Sequence, residues 1–131
     1  MQEIDRPYLM KALESLAGAE SELSSARYNN CANRCYYACF QAAIDALDRE
    51  GIRPRDGIWN HRFVPSQFDG LLINRRKRYG AELRGILEDT YVLRQRADYS
   101  ERPITFAEAR RMIRLTLTFV RTIRDDEGSA R

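Results

Sequence analysis

Apolar residues recur every three or four positions along almost the whole chain, which is the period of an amphipathic α-helix. The pattern divides the chain into five segments, at about 7–26, 29–50, 61–73, 78–98 and from 105 onward. Pro7 suits the start of the first segment, and Thr105 with Glu108 makes a capping-box sequence at the start of the last. No segment alternates with the two-residue period of a strand. We therefore expect an all-α fold, an antiparallel up-and-down four-helix bundle with one additional short helix.

The second segment is apolar nearly all round, which is typical of a helix at the centre of a bundle. It holds the only cysteines of the chain, Cys31, Cys35 and Cys39. An odd number of cysteines in one helix is no disulfide framework, and they lack the histidine partners of a metal site. We expect small buried apolar residues in a reducing, cytoplasmic setting.

A polar line also runs along this second segment. Its members are spaced by three or four residues and so share one face: Asn30, Arg34, Tyr37, Gln41, Asp45 and Asp48. An arginine inside an apolar central helix requires an anionic partner. For Arg34 that partner is either internal, such as Asp98 or a glutamate of the first helix, or a bound phosphate.

Composition fits a single domain of 131 residues, in which we expect residues 124–131 to form a frayed tail. The net charge of +3 is too even to indicate nucleic-acid binding by itself. Only two of the 22 basic residues are lysines, a skew that fits codon bias as well as phosphate recognition. The basic run at residues 75–78 either contacts phosphates or forms a solvated turn. No apolar run is long enough to cross a bilayer, so we expect no membrane partner.

Candidate chemistry concentrates at two places. His61 is the only histidine, so any histidine acid–base step must use it, although a capping or packing role is equally open. At the end of the fourth segment, Arg94 and Arg96 suit a helix C-terminus, while Asp98 and Tyr99 add a carboxylate and a phenol. Together these four side chains could orient a phosphodiester. We expect no metal and no cofactor, since no paired-histidine or glycine-rich phosphate motif occurs.

Two motifs carry a resemblance to a known family. The stretch Asn33–Ala43, NRCYYACFQAA, resembles the signature helix of the HEPN superfamily, roughly Ala-x-Arg-x-Tyr-Tyr-Ala-x-Phe-x-Ala-Ala. Arg94–Tyr99, RQRADY, resembles the Arg-x-x-Ala-Asp-Tyr element of the same superfamily. The match in order and spacing spans about residues 8–124. It implies four main helices plus a short one, often as a homodimer. It also implies either a metal-independent endoribonuclease, frequently a toxin, or the companion of a minimal nucleotidyltransferase.

The ribonuclease members of that superfamily carry Arg-x(4–6)-His, whereas here Tyr99 stands five residues after Arg94 and no histidine follows. We therefore favour a HEPN-type module that binds a nucleotide or RNA phosphate and partners a minimal nucleotidyltransferase in a toxin–antitoxin or defence-like system. The residues expected to bind the anion are Arg34, Tyr37, Arg94, Arg96, Asp98 and Tyr99. One alternative is a metal-independent endoribonuclease that uses Arg94 with His61 or Tyr99 as catalytic residues. The other is a helical protein-interaction domain with no anion site.

Overall fold

The computed structural model describes residues 6–126, and this part of the chain is helical and contains no strand. The helices are α1 (Pro7–Ser24), α2 (Tyr28–Arg49), α3 (Phe63–Gln67), α4 (Ile86–Tyr99) and α5 (Phe106–Asp125). A π-helical stretch, Phe68–Arg75, continues α3, and a 3₁₀ turn, Ala81–Leu83, precedes α4. The predicted all-helical fold and its five helices are confirmed. None of the helices within residues 6–126 has the length and apolar character needed to span a membrane.

The central helix is α2, which packs against α1, α4, α5 and α3. Its three cysteines are fully buried and unbridged, so the predicted role as small apolar residues is confirmed. Cys39 lies against Thr116 of α5, with its sulfur 3.6 Å from the threonine hydroxyl. Burial raises the pKa of the Cys39 thiol to about 12, which keeps it protonated and unreactive at neutral pH.

The first two helices form a hairpin joined by a short turn in which Ala26 adopts a left-handed conformation, with φ of 60°. Contacts between them run in opposite chain directions. The Ser15 hydroxyl lies 2.9 Å from the Gln41 amide, and Gly18 faces the stem of Arg34. Small residues of α1 at the contact allow a close approach of the two helix axes.

The fourth helix begins at Ile86, so the predicted start near residue 78 is wrong. Gly85 takes a left-handed conformation, with φ of 84°, and this turn separates the helix from the residues before it. Tyr79 and Leu83 are nevertheless buried. Their helix-like spacing therefore reflected burial in an irregular segment and not a continuous helix.

The fifth helix begins as predicted, with a reciprocal capping box. The Thr105 hydroxyl accepts the Glu108 N–H at 3.1 Å, and the Glu108 carboxylate accepts the Thr105 N–H at 3.0 Å. Helix α5 continues to Asp125, so the frayed tail predicted from residue 124 is wrong for its first two residues. Residues 127–131 of that tail lie outside the described residues.

Asp45, a member of the predicted polar line, is buried where the start of α1 meets the ends of α2 and α5. Its carboxylate pairs with Arg6 at 2.7 Å and with Arg49 at 3.4 Å. Arg6 also donates to the carbonyls of Ile123 and Arg124, at 2.9 and 3.0 Å. We call Asp45, Arg6 and Arg49 the Asp45 cluster. Its arginines neutralise the buried carboxylate and donate hydrogen bonds to carbonyl groups at the end of α5.

The basic run at residues 75–78 is partly structural. Arg76 and Arg78 pair with the two oxygens of Glu50, at 2.9 and 3.0 Å. Arg78 also pairs with Asp126 at 2.9 Å. These contacts connect the end of the π-helical stretch to the ends of α2 and α5. The sequence predicted either phosphate contacts or a solvated turn for this run, and it did not predict these ion pairs.

Candidate functional site

Arg94 of α4 is the best-positioned cation in the predicted site. Its guanidinium carbon lies 5.1 Å from the ring centre of Tyr36 and 5.5 Å from that of Tyr37. Adjacent tyrosines on α2 provide these rings because α4 packs along α2. A cation over aromatic faces is attracted by the negative charge of the π systems. The two rings therefore hold the guanidinium without using its hydrogen-bond donors.

Asp98 positions the other side of Arg94. One turn further along α4, its carboxylate lies 3.3 Å from Arg94 Nε. Asn33 of α2 donates its amide to both oxygens of that carboxylate, at 3.2 and 3.3 Å. Asn33 thus fixes the carboxylate that orients Arg94, which gives Arg94 support from both helices.

The two terminal nitrogens of Arg94 remain available. Within residues 6–126 they make no hydrogen bond, and the side chain is 22% exposed. Terminal guanidinium nitrogens carry donors in a planar fork that matches a phosphate or carboxylate. The arrangement can therefore bind an anion with little rearrangement.

Tyr36 supplies an aromatic face and not a titrating group. Burial raises its pKa to about 12, against an opposing effect of the nearby Arg94 charge. The phenol therefore stays neutral at physiological pH. Its ring also packs against Phe40 at a centroid distance of 5.5 Å, which fixes the surface on which Arg94 rests.

Arg34 is exposed, so the prediction that it lies inside an apolar surface is wrong. Its stem crosses Gly18 of α1, where an added Cβ would lie 3.7 Å from Arg34 Cδ. Since the charge stays in water, it needs no internal partner, and it forms no ion pair with any residue between 6 and 126. Asp98, one of the two internal partners considered, pairs with Arg94 instead.

Arg34 and Arg94 contact different neighbours. Helix α2 packs extensively against both α1 and α4, whereas α1 and α4 have little contact with each other. Tyr37 is three residues after Arg34 on α2, and its ring lies under the Arg94 guanidinium. The stem of Arg34 instead faces Gly18 of α1.

His61 belongs to the same aromatic cluster, although it precedes α3. Its ring stacks on Tyr91 of α4 at a centroid distance of 3.4 Å and an angle of 15°. Tyr91 in turn lies 5.9 Å from Tyr36, the ring under Arg94. The His61 Nδ1 atom is buried and has no hydrogen-bond partner among residues 6–126. His61 therefore packs, and the neighbouring Asn60 accepts the backbone N–H groups of Arg62 and Phe63 in the turn that leads into α3.

Arg96 and Tyr99 stand apart from this group. Arg96 makes a two-pronged ion pair with Glu108 and donates to the Pro103 carbonyl at 3.2 Å. Its hydrogen bonds lower the pKa of Glu108 to about 2, so Arg96 ties the end of α4 to the capping box of α5. Tyr99 is 78% exposed and makes no hydrogen bond or ring contact with residues 6–126.

The structure therefore brings together three of the six predicted anion-binding residues, Tyr37, Arg94 and Asp98, while Arg34 faces Gly18 of α1. The site residues predicted from the sequence did not include Asn33 or Tyr36. Both lie inside the motif of the second helix, three residues apart, so they face α4 together. That spacing was the available signal. Among residues 6–126, no group of three or more histidine, cysteine or acidic side chains could hold a metal ion.

No protein-family model matches this chain, and no curated protein is significantly similar to it.

Proposed function

We propose that this protein is a HEPN-type helical module that binds a phosphate group of a nucleotide or RNA at Arg94. One observation carries the proposal. The Arg94 guanidinium rests on two tyrosine rings, is oriented by Asp98, and keeps its terminal donors free. An arginine held this way loses little conformational entropy when an anion binds.

The charges around the site favour a phosphate over a neutral ligand. Arg34 adds a second exposed cation to α2, three residues before Tyr37. The negative charge of Asp98 is already balanced by Arg94, and its oxygens accept the Asn33 amide. The Tyr37 hydroxyl is an additional donor for a phosphate oxygen.

The wider proposal rests on the motif resemblance. We infer an antiparallel up-and-down arrangement of four helices with α3 as the short one, a homodimer, and a cytoplasmic partnership with a minimal nucleotidyltransferase. A toxin–antitoxin or defence-like system is the setting that such a pair implies. The packing of α1, α4 and α5 around α2 supports the bundle part of this proposal.

The test is binding of adenosine monophosphate and of a short single-stranded RNA to Arg94→Ala and to the matched variant Arg75→Ala. Charge-assisted hydrogen bonds of this kind contribute about 1.5–3 kcal/mol, so we expect Arg94→Ala to lose at least about tenfold in affinity. Arg75 is exposed and lies outside the site, so its variant is expected to bind like the unmodified protein. Equal affinity in both variants would contradict an Arg94 site and support an interaction domain without an anion site.

A ribonuclease is the second candidate, and the stacking of His61 within the Arg94 cluster favours it. In such a reaction His61 would accept the proton of the RNA 2′-hydroxyl, and Arg94 would stabilise the charged intermediate. Cleavage of single-stranded RNA in the presence of a chelator, lost in His61→Asn and in Arg94→Ala, would establish it. Cleavage lost in Tyr99→Phe but retained in His61→Asn would transfer the acid–base role to Tyr99.

A further inference from the structure

The outer side of α5 carries a row of arginines that lies outside the proposed phosphate site. Its members are Arg110, Arg111, Arg114 and Arg121, which we call the α5 arginine face. At 100° per residue they fall within an arc of about 100°, and three of them fall within about 40°. The opposite side of α5 is buried, with Ala109, Phe119 and Ile123 fully inaccessible.

All four arginines are exposed, and none forms an ion pair with a residue between 6 and 126. Residues 109–124 include five arginines and no acidic residue. The fifth, Arg124, pairs with Asp125 at 2.9 Å and is not part of the face. Arg124, and more weakly the field of Arg121, lower the pKa of Asp125, which stands at the far end of the helix. Asp125, one turn after Arg121, offsets part of this charge, but residues 109–124 add no acidic residue, so the face keeps a net positive charge.

The α5 arginine face shares no residue with the Arg94 site. Arg94 rests on Tyr36 and Tyr37 of α2, whereas the arginines of the face lie on the exposed side of α5. The two positively charged regions can therefore be changed independently.

The chemistry of the face favours a phosphate backbone over a protein partner. Its other exposed positions are small, such as Ala107 and Thr118, and offer no apolar anchor of the kind that protein interfaces bury. The aromatic side chain at its edge, Phe106, is already packed against Tyr28 at a centroid distance of 5.8 Å. Phe106 is the one aromatic side chain of α5 at this edge, so the face offers no run of aromatic rings on which successive bases of a single strand could stack.

The spacing of the arginines suits several phosphates at once. Arg110 and Arg121 are separated by about 16 Å along the helix axis, with Arg114 between them. Duplex nucleic acid carries about one charge per 1.7 Å of its axis, so a straight row of cations this long meets several phosphates. We propose that the α5 arginine face binds the phosphate backbone of a nucleic-acid duplex without reading its sequence.

The test compares two triple variants with the same change in net charge. The first is Arg110→Gln with Arg114→Gln and Arg121→Gln. The control is Arg55→Gln with Arg62→Gln and Arg75→Gln, three exposed arginines elsewhere that form no ion pair with residues 6–126. The probe is a duplex of about 20 base pairs, RNA or DNA, with affinity measured between about 50 and 200 mM KCl.

We expect the α5 variant to lose at least about tenfold in affinity, with the slope of log affinity against log salt reduced by about 2.7. The control variant is expected to keep both affinity and slope. A matching triple lysine variant of the face should restore the slope, because the contact depends on charge. Circular dichroism of each variant verifies that the helices are intact.

The proposal would be overturned if the unmodified protein did not bind the duplex, or if both triple variants lost the same affinity. A competition experiment gives a third test, with polyphosphate and polyglutamate added at equal concentrations of charge. Equal displacement of the duplex by the two polymers would show that the face has no preference for phosphate and would also overturn the proposal. Binding of adenosine monophosphate is measured on the same variants. It should be unchanged in the α5 variant and reduced in Arg94→Ala, so failure of this inference and failure of the Arg94 site give different patterns.

Discussion

Two groups of arginine and carboxylate contact the central helix, α2, and they use the same chemistry differently. In the Asp45 cluster the carboxylate is 3% exposed and both arginines have further acceptors at the end of α5. At the Arg94 site the carboxylate of Asp98 is 29% exposed, and the arginine keeps free donors. The charged groups of the Asp45 cluster are paired within the protein, whereas the Arg94 site has donors left for a ligand. An arginine therefore indicates a binding site only where the fold has left its donors unused.

The neighbours of each group explain the difference. Three helix ends meet around Asp45, and the C-terminal end of α5 supplies carbonyl groups without intrahelical partners. Arg6 and Arg49 satisfy those carbonyls. Arg94 instead meets tyrosine rings, which attract its charge but accept no conventional hydrogen bond from its terminal nitrogens. The surrounding side chains therefore decide whether an arginine is structural or available.

The strongest test of this contrast is Asp45→Asn. The change removes the buried counter-ion of the partly buried Arg6 and Arg49, and removing one partner of a buried pair costs up to about 3–5 kcal/mol. Urea unfolding at neutral pH measures the loss. The control is Asp48→Asn, one turn along α2, where the carboxylate pairs with the exposed Arg53 and the expected loss is below about 1 kcal/mol. If the two variants lost equal stability, the Asp45 cluster would not be a structural clamp.

Sequence periodicity predicted the helices and the face shared by Arg34 and Asp45, but it placed the wrong one of the two in the interior. Both belong to one polar line on α2. Asp45 is covered because the ends of α1 and α5 converge on it, whereas Arg34 extends across Gly18 to solvent. Periodicity within one helix cannot show which other helix covers a given position. For the same reason it could not predict that His61 stacks on Tyr91.

The arginines of α5 were overlooked for a different reason. Over residues 85–131 the basic and acidic residues nearly balance, so the segment looks neutral. The acidic residues lie mainly on α4 and at the two ends of α5. Arg110, Arg114 and Arg121 share a face on which residues 109–124 include no acidic residue. Charge summed over a segment conceals such a face, whereas charge plotted around one helix would have shown it.

A smaller effect is expected from Glu108→Gln, which tests the third pair, Arg96 with Glu108. Glutamine retains the capping box because its side-chain oxygen can still accept the Thr105 N–H. The variant loses the charge of a partly exposed ion pair, and we expect it to cost about 1 kcal/mol at neutral pH. Urea unfolding measures this difference.

The pH dependence of the same pair has a definite sign. Hydrogen bonds from Arg96 lower the pKa of Glu108 to about 2, from an ordinary value of 4.5. The pair therefore contributes its full stability above pH 4.5 and loses it as the pH falls toward 2. Thermal unfolding of the unmodified protein and of Glu108→Gln should converge over that range. A constant difference between them down to pH 2 would contradict the assignment of the shift to this pair.

The smallest effect is expected from Asp98→Asn, the same substitution as in the Asp45 cluster but at the open site. Asp98 and Arg94 are one turn apart on α4 and partly exposed, so their pair contributes at most about 0.5 kcal/mol. Arg94 stays over its two tyrosines, and solvent hydrates its charge. High salt should remove even this small loss, because exposed pairs are screened, while the loss in Asp45→Asn should persist. Urea unfolding in low and in high KCl measures the loss of stability in Asp98→Asn and in Asp45→Asn. A loss of several kcal/mol in Asp98→Asn that persists in high KCl would mean that Asp98 and Arg94 form a buried structural pair like that of Asp45.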